Sequence, residues 1–148
     1  NSLVDRFIDA LKSLKIESPL QHDLLILSCY LYSCRIPTSL DVAVAYSRNY
    51  TTDPNIIFDA LSTMISFLSV YEGVLSEDTQ AFYVPRSRSV AEDVMLKIPP
   101  EDLKNLLLTF HTEVSPSKIS RYGIFRRNPY DAGIVGRAIR DCQEGDGF

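Results

Sequence analysis

The chain has 148 residues, enough to bury the core of one domain, and its 45% hydrophobic and 23% charged residues match an ordinary globular protein. This composition excludes disordered and fibrous classes. The net charge is −4, and no apolar run approaches the roughly 18 residues that a membrane span needs. Because the chain begins with Asn1 rather than Met, we expect it to be a piece of a longer protein.

Apolar spacing predicts an amphipathic helix over residues 3–15. A second helix is predicted over residues 20–34, and its apolar residues lie on nearly every face, as in a helix buried at the centre of a domain. His22 lies at the start of this helix, where we expect an exposed first-turn residue.

Two further helix starts follow. Thr38 or Ser39 is expected to cap a short helix that ends at Tyr46. Asp53-Pro54 has the cap-then-proline order that opens a helix. The apolar stripe predicted for that helix consists of Ile57, Leu61, Met64, Ile65 and Leu68.

The periodicity then changes from helical to extended. Residues 68–75 and 81–84 are short runs rich in β-branched and aromatic residues, and a polar stretch, residues 76–80, separates them. This pattern predicts a β-hairpin that ends at Pro85.

Helical signals return after the hairpin. Ser89 and Glu92 have the spacing of a capping box, and Pro99-Pro100 opens another helix. Cap-proline pairs also predict two last helices, around residues 119–125 and 130–139.

The predicted fold class is mainly α: a winged-helix-like core with one β-hairpin, flanked by additional helices. The predicted parts are an N-terminal helix (1–19), a winged-helix-like domain (20–98) and a C-terminal helical extension (99–148). A generic α-bundle with an incidental hairpin is the alternative. Only the order of elements separates the two interpretations, because each element is ordinary by itself.

The residues needed for a catalytic or metal centre are missing from the sequence patterns. No glycine-rich phosphate loop precedes a Lys-Ser or Lys-Thr pair, and His22 and His111 lack metal-ligand spacing. The acidic pair Glu101-Asp102 lies in a first helical turn, where the helix dipole explains it. We therefore expect no enzyme, no metal and no cofactor in this chain.

The three cysteines have spacings that suit neither a CxxC redox pair nor a zinc knuckle: Cys29, Cys34 and Cys142. We expect plain buried or half-buried thiols. Free thiols favour a reducing compartment, which predicts a cytoplasmic location.

Charge is distributed unevenly. Residues 1–84 hold five basic and ten acidic side chains, whereas residues 115–140 hold six basic side chains and the single acid Asp131. The six form a predicted basic interaction face: Lys118, Arg121, Arg126, Arg127, Arg137 and Arg140. This face is explained by a solvated helix surface, by phosphate or nucleic-acid binding, or by docking to an acidic protein surface.

Arg86 and Arg88 lie between the end of the hairpin and the start of the next helix. A helix start with exposed amides beside arginine is a natural anion site, so this pair is the candidate for sensing an anion or a nucleotide. The alternative is that both arginines offset Glu92 and Asp93.

Duplex binding through the winged-helix face is not expected. The helix over residues 39–48 has Arg48 as its only base, and the hairpin carries Glu72, Glu77 and Asp78 with no Lys or Arg. Such a face repels phosphates.

The stretch FYVPRSRSVAEDVM, in which the hairpin leads into a helix, resembles the winged-helix segment of STAND-type signalling NTPases. The matching residues are Phe82, Tyr83, Arg86, Arg88, Val90, Ala91 and Glu92. Residues 125–139 are similar to the start of the helical region that follows in some members. The nucleotide-binding core of that superfamily is absent from this sequence.

The resemblance implies a non-catalytic regulatory arm that controls switching and oligomerisation of a larger NTPase. Its partners would be the NTPase core and helical repeats of the parent protein, which would itself bind ATP or ADP. Many members act in antiviral defence or cell death. The alternative is a stand-alone adaptor that binds nucleic acid or a protein partner through the Arg-rich C-terminal face.

Overall fold

The computed structural model describes residues 2–75 and 78–114. The helices predicted over residues 119–125 and 130–139 and the basic interaction face lie outside the described residues, as does Cys142. The described chain forms six helices and three strands: α1 (Ser2–Glu17), α2 (Pro19–Ser33), β1 (Thr38–Ser39), α3 (Leu40–Tyr46), α4 (Pro54–Ser62), β2 (Leu68–Leu75), β3 (Asp78–Pro85), α5 (Arg88–Lys97) and α6 (Pro100–Glu113). The mainly helical class with one hairpin is confirmed.

Helix α2 is the central helix, as its sequence predicts. Every residue from Leu24 to Leu31 is buried, including the polar Ser28, whose hydroxyl donates to the carbonyl of Leu24 at 2.9 Å. Ser18 caps its start by accepting from the backbone N–H of Gln21, and Pro19 follows in the first turn. Because α2 has no solvent-facing side along this stretch, the other elements pack around it.

The order of α2, β1, α3, α4 and the hairpin is that of a winged helix. The sheet is antiparallel with β3 in the middle, between β2 and the two-residue β1. In register, Val70 lies opposite Tyr83, which in turn lies opposite Thr38. Strand β1 was not predicted, since a pair of residues carries no readable alternation.

One core unites the predicted parts of the chain. Buried residues of α1 (Val4, Phe7) and of α6 (Leu106, Phe110) belong to the same hydrophobic cluster as α2. Rings link the elements directly: Tyr30 and Phe110 lie edge to face with centroids 6.2 Å apart.

Helix α4 is shorter than its apolar stripe predicts. It ends at Ser62, and Gln21 of α2 donates to the carbonyl of Ala60 at 2.9 Å and to the hydroxyl of Thr63 at 2.6 Å. The contact with Ala60 satisfies a carbonyl that the end of the helix leaves without a partner inside the helix. A turn over residues 63–67 follows.

The same turn overturns the prediction for Ile65. Phe67 takes the inward position, with its ring 4.9 Å from that of Phe7 in an edge-to-face contact. Ile65 points outward and is 67% exposed. Ile65 is the one member that departs from the predicted stripe, and the others are buried: Ile57, Leu61, Met64 and Leu68.

Two further boundaries differ from prediction. Strand β3 begins at Asp78, so the loop between the strands is shorter than the polar stretch suggests. Helix α5 is capped by Ser87, whose hydroxyl accepts from the N–H of Val90 at 3.3 Å, whereas Ser89 lies inside the helix. Because β3 ends at Pro85, only two residues remain before the helix, and the cap has to come from that pair.

The described cysteines agree with the sequence analysis. Cys29 is buried and Cys34 half-buried, and both are free thiols. Burial raises the pKa of Cys29 above its ordinary value, which keeps the thiol neutral. None of the helices in residues 2–75 and 78–114 combines the length and apolar character that crossing a membrane requires.

Leu61 tests the packing of α4. Its side chain is 1% exposed, so Leu61→Ala should lower the free energy of unfolding by about 2–5 kcal/mol through lost packing and a residual cavity. Leu96→Ala on α5 is the control, because Leu96 is 52% exposed and should change stability by less than about 0.5 kcal/mol. Urea unfolding followed by circular dichroism measures both. Equal losses for the two variants would contradict the packing of α4.

Candidate protein-interaction groove

An apolar groove lies between α4 and one face of the hairpin. Its volume is about 420 Å³, which is within the range of ligand-binding clefts. Helix α4 and the turn after it contribute Phe58, Leu61, Ser62 and Ile65. The hairpin contributes Leu68, Val70, Tyr71, Glu72, Ala81 and Tyr83.

The alternation of the hairpin explains the hairpin side chains that line the groove, apart from Tyr71. Leu68, Val70 and Glu72 alternate along β2 and lie opposite Pro85, Tyr83 and Ala81. Successive side chains of a strand point to opposite faces, so these residues share one face. The other face carries Phe82, which is buried and stacks on Tyr71 with centroids 5.6 Å apart.

Part of the groove lining is open to solvent. Ile65 is 67% exposed, Val70 61% and Phe58 46%. Single exposed apolar side chains are ordinary, but a contiguous patch lining a concave surface is typical of an interaction site. The base is closed by buried Leu61, Leu68 and Tyr83.

Helix α4 and the hairpin carry acidic side chains and no Lys or Arg, and Arg86 follows directly after β3. Residues 49–85 contain no Lys or Arg, and their five acids are Asp53, Asp59, Glu72, Glu77 and Asp78. Of these, Asp59 on α4 and Glu72 on β2 are exposed in the structure. Helix α4, not α3, shares the groove with the hairpin, and it carries an acid and no base. These acids repel phosphates, and the exposed Arg86 at the end of β3 offsets part of their field.

Arg86 holds the turn beside the groove. Its guanidinium donates from Nη2 to the carbonyl of Ile65 at 2.6 Å and from Nε to the carbonyl of Ser66 at 3.2 Å. These bonds tie the end of β3 to the turn that presents Ile65. Arg86 is therefore a positioning residue for the groove.

Arg88, the other half of the predicted anion site, has a different partner. Its Nε donates to Oε1 of Glu92, one helical turn later, at 3.0 Å, and both side chains are exposed. The sequence analysis gives this pairing with Glu92 as the alternative to an anion site. The contacts of Arg86 and Arg88 within the described chain do not bring them onto one acceptor, and the anion site stays a prediction.

A polar cluster that the sequence analysis missed lies on the other side of the domain, where α1, α2 and α6 meet. Lys15 Nζ contacts Oδ1 of Asp102 at 3.0 Å, and His22 Nε2 lies 3.7 Å from Oδ2 of the same carboxylate. His22 Nδ1 donates to Oδ1 of Asp23 at 2.8 Å, and the Tyr50 hydroxyl donates to Oδ2 of Asp23 at 2.6 Å.

The prediction of an exposed His22 is wrong. Its side chain is 7% exposed, and that of Asp102 is 8% exposed. Lys15 and Asp102 are 87 residues apart, and no local pattern joins them. Asp102 does lie in the first turn of α6, as predicted, but the helix dipole is only part of its environment.

The ionisation of the cluster follows from its pairing. Burial by itself lowers the pKa of His22, but the interactions with Asp102 and Asp23 outweigh burial and raise that pKa to about 9. The His22 contact, followed by Lys15, holds the pKa of Asp102 below its ordinary value despite burial. Two cations and two carboxylates therefore balance near neutral pH.

The cluster lines a cavity of about 220 Å³ that also contacts Tyr46, Asn105 and Thr109. Within residues 2–75 and 78–114, no group of three or more His, Cys, Asp and Glu side chains is arranged to hold a metal ion. The contacts join α1, α2 and α6 and account for the cluster as a structural ionic network.

The raised pKa of His22 predicts a pH-dependent stability. The pKa in the unfolded chain is about 6.5, so the stabilisation is complete below pH 6.5 and is lost as pH rises through 9. The loss should reach up to roughly 3 kcal/mol. The pH dependence of urea unfolding between pH 6 and 9.5 should therefore flatten in His22→Gln. His111→Gln is the matched control for the substitution itself, because His111 is exposed on α6. Equal slopes in all three proteins would contradict the buried ion pair.

No family model, no curated protein and no solved structure shows significant similarity to the chain.

Proposed function

We propose that this chain is a non-catalytic regulatory arm that acts by docking protein surfaces, and that its docking site is the groove between α4 and the hairpin. The observation that carries the proposal is the open apolar groove, in which Ile65 and Val70 are 67% and 61% exposed. A groove of this kind accommodates the apolar anchor residues that dominate protein interfaces.

Charge favours protein over nucleic acid as the occupant. A duplex requires Lys and Arg contacts to its phosphates, and residues 49–85 supply none. An apolar surface with the acid Glu72 in its lining suits a protein segment that combines apolar anchors with Lys or Arg.

The winged-helix order and the stretch from Phe82 to Met95 support placing the arm in a STAND-type signalling NTPase. The arm would then pack on the NTPase core or helical repeats and control switching and oligomerisation, while the parent binds ATP or ADP. A cytoplasmic location belongs to this proposal, and so does a role in antiviral defence. Both come from the resemblance and from the free thiols Cys29 and Cys34.

A second function is favoured by one feature of the sequence. The six bases of residues 115–140 suit phosphate groups, and a stand-alone adaptor would use them to bind nucleic acid. Tight, salt-sensitive duplex binding by the 148-residue chain would support this adaptor and count against the regulatory arm.

The test of the groove uses the full-length parent protein. An upstream phosphate-binding loop of the Walker type should be present. Ile65→Asp should then weaken docking by roughly 5- to 30-fold, because it places a charge in an apolar contact of 1–2 kcal/mol. Nucleotide turnover, and oligomeric state by light scattering, report the release of the arm.

Leu96→Asp controls for surface charge, since Leu96 is a similarly exposed leucine on α5. Both variants should melt within a few degrees of wild type, because neither side chain is in the core. If Ile65→Asp matches Leu96→Asp in turnover and assembly, the groove is not the docking site.

Arg88→Ala tests the predicted anion site in the same protein. If Arg88 holds an anionic group of the parent, the substitution removes a charged hydrogen bond of about 1.5–3 kcal/mol. The equilibrium between the resting and active states should then shift by roughly 10- to 100-fold. Retained nucleotide and signalling output measure the shift. If Arg88 only pairs with Glu92, the substitution removes an exposed i,i+4 pair and lowers stability by about 0.3–0.5 kcal/mol. Retained nucleotide and signalling output then stay at wild-type values.

A further inference from the structure

Strand β2 forms one edge of the sheet. The strand order is β1-β3-β2, so β2 pairs with β3 on one side and with no strand of the described chain on the other. Within residues 2–75 and 78–114, no backbone hydrogen bond from outside the β2–β3 ladder reaches residues 69–72. An edge of this kind presents a row of N–H and C=O groups with which another extended chain can pair.

The edge lacks the features that usually block such pairing. Strand β2 is eight residues long, contains no Pro, Lys or Arg, and has Glu72 as its only charged residue. Each of its residues has one partner on β3, so no bulge interrupts the strand. It packs mainly on β3, and Ser69, Val70, Tyr71 and Glu72 are all exposed. Proline, lysine, a bulge or a covering element protects most natural edges.

The groove opens along this edge. On the groove face, Tyr83 of β3 is 2% exposed, whereas Val70, which lies directly opposite on β2, is 61% exposed. The next pair on that face shows the same change, since Ala81 is half-buried and Glu72 is exposed. A strand added beside β2 would lie about 4.8 Å from it and would continue the sheet that forms one wall of the groove.

We infer that the groove takes an extended protein segment, which adds to β2 as a further strand and places every second side chain on the groove face. The inference rests on the docking site proposed above and names the form of its occupant. Backbone pairing supplies affinity in this mode of binding, and the side-chain pocket supplies selectivity. Cross-strand pairing favours a β-branched or aromatic residue opposite Val70 and a Lys or Arg opposite Glu72, two positions along the same face.

A second copy of β2 fits this edge less well. When β2 pairs antiparallel with itself, three registers overlap by seven or eight residues. One places Gly73 opposite Val70, and glycine has no side chain to enter the groove. Another places Glu72 opposite Val70. The third sets Glu72 of one copy directly against Glu72 of the other, where like charges repel. The occupant is therefore a different segment.

The experiment uses the full 148-residue chain and a synthetic eight-residue peptide of alternating Thr and Val, in which one Val is replaced by Lys. Hydrogen exchange followed by NMR measures the backbone amides of residues 69–72. Saturating peptide should slow exchange at least about tenfold at alternate amides, because only those that point away from β3 gain a partner. A peptide that fails to bind, or that binds without protecting these amides, would overturn the inference.

Methylation of the peptide backbone separates strand pairing from other modes of docking. One peptide carries N-methyl groups on its odd residues, and a second carries them on its even residues. Only one set faces β2, so one peptide should lose at least about tenfold in affinity while the other binds within about twofold of the parent peptide. Equal affinities of the two methylated peptides would show that the occupant is not a paired strand.

A charge exchange tests the pairing opposite Glu72. Glu72→Lys should weaken binding of the Lys peptide and strengthen binding of the same peptide with Glu at that position, each by roughly 1.5- to 5-fold. Asp59→Lys is the matched control, because Asp59 is an exposed acid on α4 that does not line the groove. Equal responses of the two variants would contradict this register.

The failure of this inference differs from the failure of the proposed function. If no peptide protects β2, the inference is wrong. The docking site survives that result as long as Ile65→Asp still changes turnover or assembly in the parent protein. If Ile65→Asp has no effect there and no peptide binds, both proposals are wrong.

Discussion

Burial of α2 on every side is the constraint on which the rest of the structure depends. A helix with eight consecutive buried residues, Leu24 to Leu31, needs neighbours all around it. Helices α1, α5 and α6 and the sheet supply them within one core. Polar groups of α2 have to find partners inside this arrangement, and Ser28 bonds to its own helix for that reason.

Burial also constrains the charged residues around the first turn of α2. His22 faces the junction of α1 and α6, where an unpaired imidazole or carboxylate would be costly. Asp102 and Lys15 arrive from distant parts of the chain and neutralise one another there. Breaking one member leaves another buried charge without its partner, which costs more than the intact network contributes. The cluster therefore holds the three helices together mainly because removing one charge is costly, and less because the intact network has a large net attraction.

The sequence predicts elements whose signals are local and fails where a distant contact decides. Ser18-Pro19 and Asp53-Pro54 predict helix starts correctly, and the switch in periodicity predicts the hairpin. The buried His22 is not predictable in this way, since its neighbour Asp102 is far along the chain and each residue is ordinary in its own turn.

The groove was missed for a related reason. The apolar stripe of α4 gives no sign that the helix ends at Ser62, where Gln21 bonds to its last turn. Ile65 falls in phase with Leu61 only if the helix continues. Arg86 and Arg88 were predicted together because they are neighbours in sequence. In the structure, one holds the turn at residues 65–66 and the other pairs with Glu92.

The position of Ile65 also bears on the docking proposed for the groove. The core is complete without this side chain, since Phe67 fills the inward position against Phe7. Arg86 fixes the backbone on which Ile65 stands, and the paired strands β2 and β3 fix Val70 opposite Tyr83. An apolar surface held this way loses little conformational entropy when a partner docks, so more of the contact energy remains as affinity.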